Sequence, residues 1–192
     1  GYRAGLDAVL LAASIPAHPG DTILDVGCGV GTASLCLNAR IPNLHFSGFD
    51  CQEKLIELAQ RNAFSFSNFN FFCASLETEK KLEKNAFDHV MTNPPYLKKE
   101  KSTPSPDLIK DKANFETIEL KTWIELCLKY VKPKGTLTLI HSADRLDEII
   151  QAISIKKRSI KIIPLWPDKE KPAKRIIVQM TKDNSKPLIL SQ

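Results

Sequence analysis

The sequence has no long hydrophobic run, and this absence bears on where the protein can reside. No stretch of the 192 residues approaches the roughly 18 consecutive apolar residues that a membrane-spanning helix needs. The apolar run at 8–13 lacks the length and the basic flank of a signal peptide. We therefore expect no membrane association. Because the chain begins with Gly1 rather than Met, we also expect that a few residues precede it.

Paired cysteines are also lacking. The five cysteines are an odd number, and none belongs to a C-x-x-C pair. This spacing argues against a disulfide framework and against a zinc site, so we expect no metal and a reducing cytoplasm. A large charge surplus is missing too, since the net charge is only +5. A positive net charge this small is compatible with a polyanionic partner but does not establish one.

Apolar segments of strand length alternate with amphipathic segments of helix length over most of the chain. The predicted strands are 21–26, 44–49, 69–74, 87–92, 136–141, 160–165 and 175–181. The predicted helices are 6–14, 32–39, 52–63, 116–131 and 144–155, with a long polar loop at 98–114 and a turn at 133–135. This alternation predicts one α/β domain over 1–192 with a doubly wound, mostly parallel, seven-stranded sheet. The last two strands have no helix between them, so they should form an antiparallel edge hairpin.

A glycine-rich segment follows the first predicted strand. Gly27, Gly29 and Gly31 stand where the strand turns into a helix, and there the backbone can approach a ligand closely. A dinucleotide-binding pattern would need a glycine in place of Thr32. Asp25, just before the glycines, would repel a pyrophosphate but attract the cationic groups of S-adenosylmethionine. The segment predicts a nucleoside-cofactor site, although a tight structural turn alone would use the same glycines.

Two further positions extend this predicted cofactor site. Asp50 closes the second predicted strand, where a carboxylate can accept hydrogen bonds from both hydroxyls of an unphosphorylated ribose. Position 75 follows the third strand, where such folds often place an acid against the adenine amino group. Here it is Ser75, so the adenine contact falls to a backbone group or to another side chain.

The fourth predicted strand runs directly into Asn93, Pro94, Pro95 and Tyr96. The prolines fix φ and remove backbone donors, so the Pro94 carbonyl and the Asn93 side-chain oxygen can act as two acceptors. Two acceptors can hold the two N–H bonds of an amino or amide group, with the nitrogen lone pair facing a methyl sulfonium. Tyr96 offers a ring face on which a base can stack. A rigid turn that merely closes a strand is the alternative interpretation.

Segments 25–31 and 93–96, together with Asp50, resemble the motifs of class I S-adenosylmethionine-dependent methyltransferases that modify amino or amide nitrogens. Segments 1–13, 103–106, 135–141 and 172–175 further resemble the bacterial tRNA adenine-N6 methyltransferase group, which is described as acting beside the anticodon of a valine tRNA. The resemblance covers essentially the whole chain and implies a Rossmann-like fold, S-adenosylmethionine as cofactor and tRNA as partner. Ser75 departs from the usual acid.

The same resemblance implies roles for residues outside these motifs. In such enzymes the first helix covers the cofactor, which would place Arg3 and Asp7 at its pocket, although a surface arginine and a helix N-terminal acid are equally common there. His141 ends the fifth predicted strand, on the same rim as Asn93. A structural histidine with satisfied hydrogen bonds is the favoured interpretation for it.

Basic residues concentrate in segment 156–175, which contains eight basic and two acidic residues and therefore has a net charge of +6. They are Lys156, Lys157, Arg158, Lys161, Lys169, Lys171, Lys174 and Arg175. The polar loop adds Lys98, Lys99 and Lys101. We predict RNA contacts for Lys98, Lys174 and Arg175, with Trp166 available to a base. The alternative is a solvated basic face with Trp166 buried in the hairpin.

Several functions remain compatible with these motifs. The leading hypothesis is methylation of the exocyclic N6 of an adenine in tRNA. A protein glutamine amide presents the same two N–H bonds and is the nearest alternative. DNA adenine would need a target-recognition domain that the chain does not show. A nicotinamide oxidoreductase is disfavoured by Thr32 and Asp25, and a non-catalytic RNA-binding module is less favoured than an enzyme.

Overall fold

The computed structural model describes residues 5–76, 82–95, 118–153 and 158–191. In chain order the elements are α1 (Leu6–Ser14), β1 (Thr22–Val26), α2 (Thr32–Arg40), β2 (His45–Asp50), α3 (Glu53–Asn62), β3 (Phe69–Cys73), β4 (Phe87–Thr92), α4 (Leu120–Tyr130), β5 (Val131–Ser142), a 3₁₀ turn (Ala143–Arg145), α5 (Leu146–Ile153), β6 (Arg158–Leu165), β7 (Arg175–Lys182) and β8 (Ile189–Leu190).

The strands form one mixed sheet in the order β3-β2-β1-β4-β5-β7-β6-β8. Strands β1 to β5 pair in parallel, whereas β7 runs antiparallel to both β5 and β6. The chain reverses its direction across the sheet between β1 and β4, because β2 and β3 lie on one side of β1 and β4 lies on the other. Ligands of doubly wound sheets bind at such a switch point.

Helices cover both faces of the sheet. On one face Ile124, Cys127 and Ile149 of α4 and α5 pack in a buried cluster with Leu24 and Val90. On the other face Leu11 and Leu37 of α1 and α2 pack with Ile23, Met91 and Ile140 in a second cluster. Neighbouring residues of β1 therefore point to opposite faces, as the two-residue period of a strand requires. Burial of both faces explains why the central strands are continuously apolar.

The expected doubly wound, mostly parallel sheet with an antiparallel C-terminal hairpin is confirmed. The structure adds a short eighth strand, Ile189–Leu190, that pairs in parallel with β6 and was not predicted because two residues carry no periodicity. The predicted turn at 133–135 lies inside β5, where the pairing with β4 shifts register between Phe87 and His89. Lys134 takes a φ of 68° there, so the turn residues form an irregularity of the strand.

Other differences concern the ends of helices. The predicted helix at 144–155 begins as the 3₁₀ turn, and its last two residues lie outside the described residues. The start of the predicted helix at 116–131 and the whole predicted loop at 98–114 also lie outside them. Within the described ranges, no helix combines the length and the apolar character that crossing a bilayer requires.

Candidate active site

Strands β1, β2, β3, β4 and β5 end along one side of the sheet, which we call the carboxyl edge; the side on which they begin is the amino edge. Pairing places Val26 beside both Phe49 and Thr92, so the ends of β1, β2 and β4 lie together. Asp50 is in turn opposite Cys73 at the end of β3. The glycine segment, Asp50 and Asn93 therefore meet at the switch point, as the sequence predicted.

The glycine segment forms a loop with unusual backbone angles. Gly27, Gly29 and Gly31 have φ values of 71°, 54° and 79°, a region that favours glycine. The N–H groups of Gly27 and Cys28 both donate to the Phe49 carbonyl, at 2.9 and 3.0 Å, and fix the loop against β2. A methyl group on Gly31 would lie 2.9 Å from Cζ of Phe71. Conformation and packing together therefore disfavour a larger residue at Gly31.

Asp25 is a buried acid, with 2% of its surface exposed. Burial raises its pKa to about 7, and the negative charge of Asp50 adds to this effect. A hydrogen bond from the Ser34 hydroxyl, 2.7 Å long, opposes the shift but does not cancel it. Among the described residues that shift this pKa, none is a cation. A ligand with a positive charge would stabilise the ionised carboxylate. This fits the prediction from the sequence that Asp25 attracts the cationic groups of S-adenosylmethionine.

Asp50 is held in a defined orientation by the backbone. Its Oδ2 accepts from the Gly29 N–H at 3.1 Å and its Oδ1 from the Gln52 N–H at 3.0 Å. A carboxylate has about four acceptor positions, so each oxygen retains the capacity to accept from a ribose hydroxyl. Ser75 lies two residues beyond β3 and is half-buried. The donors and acceptors at this edge thus fit the predicted cofactor, while the individual roles of these residues stay predictions.

Asn93 follows β4 directly, and its side chain has an exceptional environment. Its Oδ1 is buried, and it is the one buried side-chain oxygen or nitrogen without a hydrogen-bond partner in the part of the chain that the structure describes. Buried polar atoms are rarely left unpaired, so such an atom is expected to receive a hydrogen bond from a ligand. Pro94 is buried and Pro95 is exposed, whereas Tyr96 and Lys98 lie outside the described residues.

One residue at this edge was missed by the sequence analysis. Trp123 of α4 donates its indole N–H to the Thr92 hydroxyl at 3.0 Å, and this hydroxyl donates to the Val26 carbonyl at 2.8 Å. A methyl group on Gly27 would lie 3.5 Å from Cζ2 of Trp123. The only signal in the sequence was a tryptophan within the predicted helix 116–131, and tryptophans in helices usually belong to the core.

The basic segment does not form a single surface. β6 runs from the amino edge at Arg158 to the carboxyl edge at Leu165, where Leu165 pairs with Arg175. Arg175 in turn pairs with Ser142 at the end of β5. The connection between β6 and β7 therefore carries Lys169, Lys171 and Lys174 at the carboxyl edge, and Arg158 lies at the opposite edge. Lys156 and Lys157 lie outside the described residues.

The predicted RNA-contacting residues have different surroundings. Lys174 is exposed, whereas the Arg175 Nε pairs with Asp7 Oδ2 of α1 at 3.1 Å. Asp7 and Arg175 thus join α1 to the hairpin at the carboxyl edge, and Arg3 lies outside the described residues. Trp166 is 51% exposed, so the interpretation that it is buried in the hairpin was wrong.

His141 and the thiols show the effects of burial. Burial lowers the pKa of His141, the nearby Arg145 lowers it further, and the ring Nδ1 accepts from the Ser142 N–H at 2.8 Å. This agrees with the structural histidine that the sequence favoured. Burial also raises the pKa of the Cys28 thiol in the glycine loop, which keeps it protonated. Within the described ranges, no group of three or more metal-binding side chains comes together.

Comparison with known proteins agrees with this geometry. Residues 17–188 match the model of a family described as "Methyltransferase domain". The chain belongs to this methyltransferase family. Membership confirms the predicted enzyme class and, with it, the predicted cofactor, S-adenosylmethionine.

Relatives and solved structures extend the comparison. The chain is 27% identical over 156 residues to the tRNA1(Val) (adenine(37)-N6)-methyltransferase of Shewanella sediminis, an alignment that covers 77% of this chain and 63% of the relative. It is 22% identical to the protein of the same name from Vibrio campbellii, over 95% of this chain and 77% of the relative. The chain thus spans less than two thirds of the Shewanella protein.

Among solved structures, a predicted O-methyltransferase from Agrobacterium tumefaciens superimposes with a TM-score of 0.76. It is 23% identical and covers 96% of this chain and 84% of its own. At this identity the likeness supports the fold and says nothing about the acceptor.

Proposed function

We propose that this protein transfers the methyl group of S-adenosylmethionine to the exocyclic N6 of an adenine in tRNA. The observation that carries the proposal is the buried Oδ1 of Asn93 at the carboxyl end of β4, to which none of the described residues donates a hydrogen bond. An amino group has two N–H bonds to donate, and this oxygen can accept one of them. The Pro94 carbonyl is the proposed acceptor for the other.

The acceptor pair would bind the amino group and direct its lone pair at the methyl carbon. The cofactor supplies an electrophilic methyl group, so a nitrogen–carbon bond forms as the sulfur–carbon bond breaks. The amino nitrogen becomes acidic only after it has been methylated and then releases a proton to solvent, which is why no strong general base is needed. Positioning of this kind can contribute several kcal/mol to the rate of a displacement.

Residues around the acceptor complete the proposed site. Asp25, Gly27, Gly29, Gly31, Asp50 and Ser75 would bind the cofactor, and Tyr96 would stack on the adenine. Pro95, Lys98, Lys174 and Arg175 would contact the RNA. The preformed orientation of Asp50, fixed by the Gly29 and Gln52 N–H groups, supports its assignment to the ribose. The charge of Asp25 and Asp50 supports a cationic cofactor.

Adenine in tRNA is favoured over a protein amide because the tRNA methyltransferase relatives align with a larger share of this chain than the glutamine methyltransferase relative does. The tRNA methyltransferase relatives align with 77% and 95% of this chain. The release factor glutamine methyltransferase of Aliivibrio fischeri is 35% identical but aligns with only 40% of it. A glutamine amide is therefore the second candidate acceptor.

The five free thiols support our further proposal that the enzyme works in the reducing cytoplasm.

The deciding experiment incubates the protein with isotopically labelled S-adenosylmethionine and either tRNA that lacks modifications or a protein extract. Mass spectrometry of the digested products then identifies the labelled residue. We expect N6-methyladenosine from the tRNA. Label found only in methylglutamine would replace the proposed acceptor with the protein amide, and no label in either sample would contradict the proposal.

A matched pair of variants tests the acceptor site itself. Asn93→Ala should lower methyl transfer by about 10²–10³-fold, as the loss of one well-placed polar group does in other enzymes. It should leave cofactor and RNA binding nearly unchanged. Asn70→Ala makes the same change on the exposed residue of edge strand β3 and should retain full activity. Normal activity of Asn93→Ala would show that Asn93 does not hold the amino group.

A further inference from the structure

Trp123 connects the two halves of the candidate site. Its indole N–H donates to Thr92 Oγ1, the hydroxyl of the residue immediately before Asn93. Thr92 is completely buried, and its hydroxyl donates onward to the Val26 carbonyl, the last residue of β1 before the glycine loop. The hydroxyl thus uses its single proton toward β1 and accepts the indole proton from α4. The two hydrogen bonds therefore run in one direction across the switch point, from the indole through the hydroxyl to the Val26 carbonyl.

The indole ring also lies near the glycine loop. A methyl group built on Gly27 would lie 3.5 Å from Cζ2 and 3.6 Å from Cη2 of Trp123, an ordinary van der Waals distance. The ring therefore faces the first glycine of the loop across a space that one methyl group would fill, while its nitrogen donates to the residue that precedes Asn93. One side chain of α4 thus lies beside the cofactor segment and is bonded to the residue that leads into the acceptor segment.

Helix α4 holds this ring in a defined position. Trp123 is in the first turn of the helix, where its backbone N–H donates to the Glu119 carbonyl at 2.9 Å. Ile124, the next residue, belongs to the buried cluster that joins α4 to Leu24 and Val90 of the sheet. Because the helix is packed against the sheet, the Trp123 ring is held with it. A well-packed interior allows its side chains little displacement.

We propose that Trp123 is a positioning residue that fixes Asn93 relative to the glycine loop through the Thr92 hydroxyl. This inference rests on the proposed function, because it matters only if Asn93 holds the methyl acceptor. A displacement of the acceptor by about 1 Å can lower the rate of such a reaction by about 10²-fold. Loss of the indole donor should therefore reduce kcat, since the binding groups for the cofactor remain in place.

A cycle of variants tests the hydrogen-bonded chain. Trp123→Phe and Thr92→Val should each lower kcat about tenfold, while KM for S-adenosylmethionine changes less than about threefold. Thr92→Ser keeps the hydroxyl and should restore most of the activity. The double variant should be no slower than Thr92→Val, because both changes break the same chain. Additive losses, or a Thr92→Ser variant as slow as Thr92→Val, would overturn the proposal.

A fluorescence measurement tests the position of Trp123 beside the glycine loop without relying on methyl transfer. The chain has two tryptophans, so Trp166→Phe leaves Trp123 as the sole emitter. Titration with S-adenosylhomocysteine should change the emission of Trp123 in a saturable way, with a midpoint equal to the dissociation constant found by calorimetry. Unchanged emission despite calorimetric binding would show that Trp123 does not lie beside the cofactor segment and would overturn the proposal. A fully active Asn93→Ala would instead refute the proposed function and leave this result standing.

Discussion

The two edges of the sheet are built on opposite principles. At the amino edge, the Asp88 carboxylate accepts from the Thr22 N–H at 2.9 Å, from the Thr22 hydroxyl at 2.7 Å and from the Lys132 ammonium at 2.9 Å. The His89 ring contacts Thr136 Oγ1 at 2.8 Å and Asp21 Oδ2 at 3.1 Å. Polar groups here satisfy one another and join β1, β4 and β5.

The carboxyl edge contains groups that the described residues do not satisfy. Asn93 Oδ1 has no hydrogen-bond partner among them, and Asp25 is buried near the negative charge of Asp50. Both features reduce the stability that the fold could reach, and such departures concentrate at functional sites. The contrast indicates that the amino edge stabilises the fold, while the carboxyl edge is arranged to bind ligands.

The largest expected difference concerns Asp25 and pH. Its pKa is raised from 3.8 to about 7, so between these pH values the folded state keeps a proton that the unfolded state has released. Stability should therefore fall as pH rises from about 4 to about 7, by a few kcal/mol in total. Asp25→Asn should remove this slope in urea unfolding measured across that range. If the unfolding free energy of both proteins changed with pH in the same way, Asp25 would not be the group responsible.

The second difference compares two glycines with positive φ. Gly31 belongs to the loop at the carboxyl edge, and a methyl group there would meet Phe71 at 2.9 Å. Gly20 has a φ of 96° before β1, at the amino edge, and a methyl group there meets nothing within 4 Å. Gly31→Ala should cost about 3 kcal/mol of unfolding free energy and Gly20→Ala about 1 kcal/mol, because only the first adds crowding to strain. Equal losses in chemical denaturation would show that Phe71 moves aside.

A third comparison uses exposed aromatic residues. Trp166 is at the carboxyl edge with Lys169, Lys171 and Lys174 on the same connection, whereas Phe64 is 89% exposed between α3 and β3, at the amino edge. If RNA lies across the carboxyl edge, Trp166→Ala should weaken tRNA binding about tenfold through loss of base stacking. Phe64→Ala should leave the dissociation constant unchanged in a filter-binding assay. Equal effects of the two variants would remove Trp166 from the proposed RNA surface.

The smallest effect is expected from the amino-edge ion pair. Burial alone would raise the pKa of Asp88, but hydrogen bonds from Thr22 and Lys132 outweigh it and lower the pKa to about 2. This contribution is present above about pH 4 and is lost as pH falls through 2. Because Asp88 and Lys132 are partly exposed, Asp88→Asn should cost only about 1 kcal/mol at neutral pH. Its kcat should equal that of the unmodified protein, and a large loss of activity would contradict the division between the edges.

The sequence alone was sufficient for the fold and for the segments that meet at the carboxyl edge. Helix α1 (Leu6–Ser14) and strand β4 (Phe87–Thr92) have the predicted bounds. Local patterns suffice here because buried strands are continuously apolar and because parallel connections place all their carboxyl ends on one side. That same rule places Asp25, Asp50 and Asn93 together, so their proximity needed no coordinates.

Only the tertiary structure showed which polar groups are satisfied. The pairing of Arg175 with Asp7 joins residues far apart in the chain, and so does the bond from Trp123 to Thr92. Asn93 Oδ1 has no hydrogen-bond partner among the described residues, and burial raises the pKa of Asp25. Both properties depend on all the groups that the fold packs around these side chains. Periodicity and motif spacing describe local conformation, whereas hydrogen-bond partners and desolvation are properties of the packed three-dimensional arrangement.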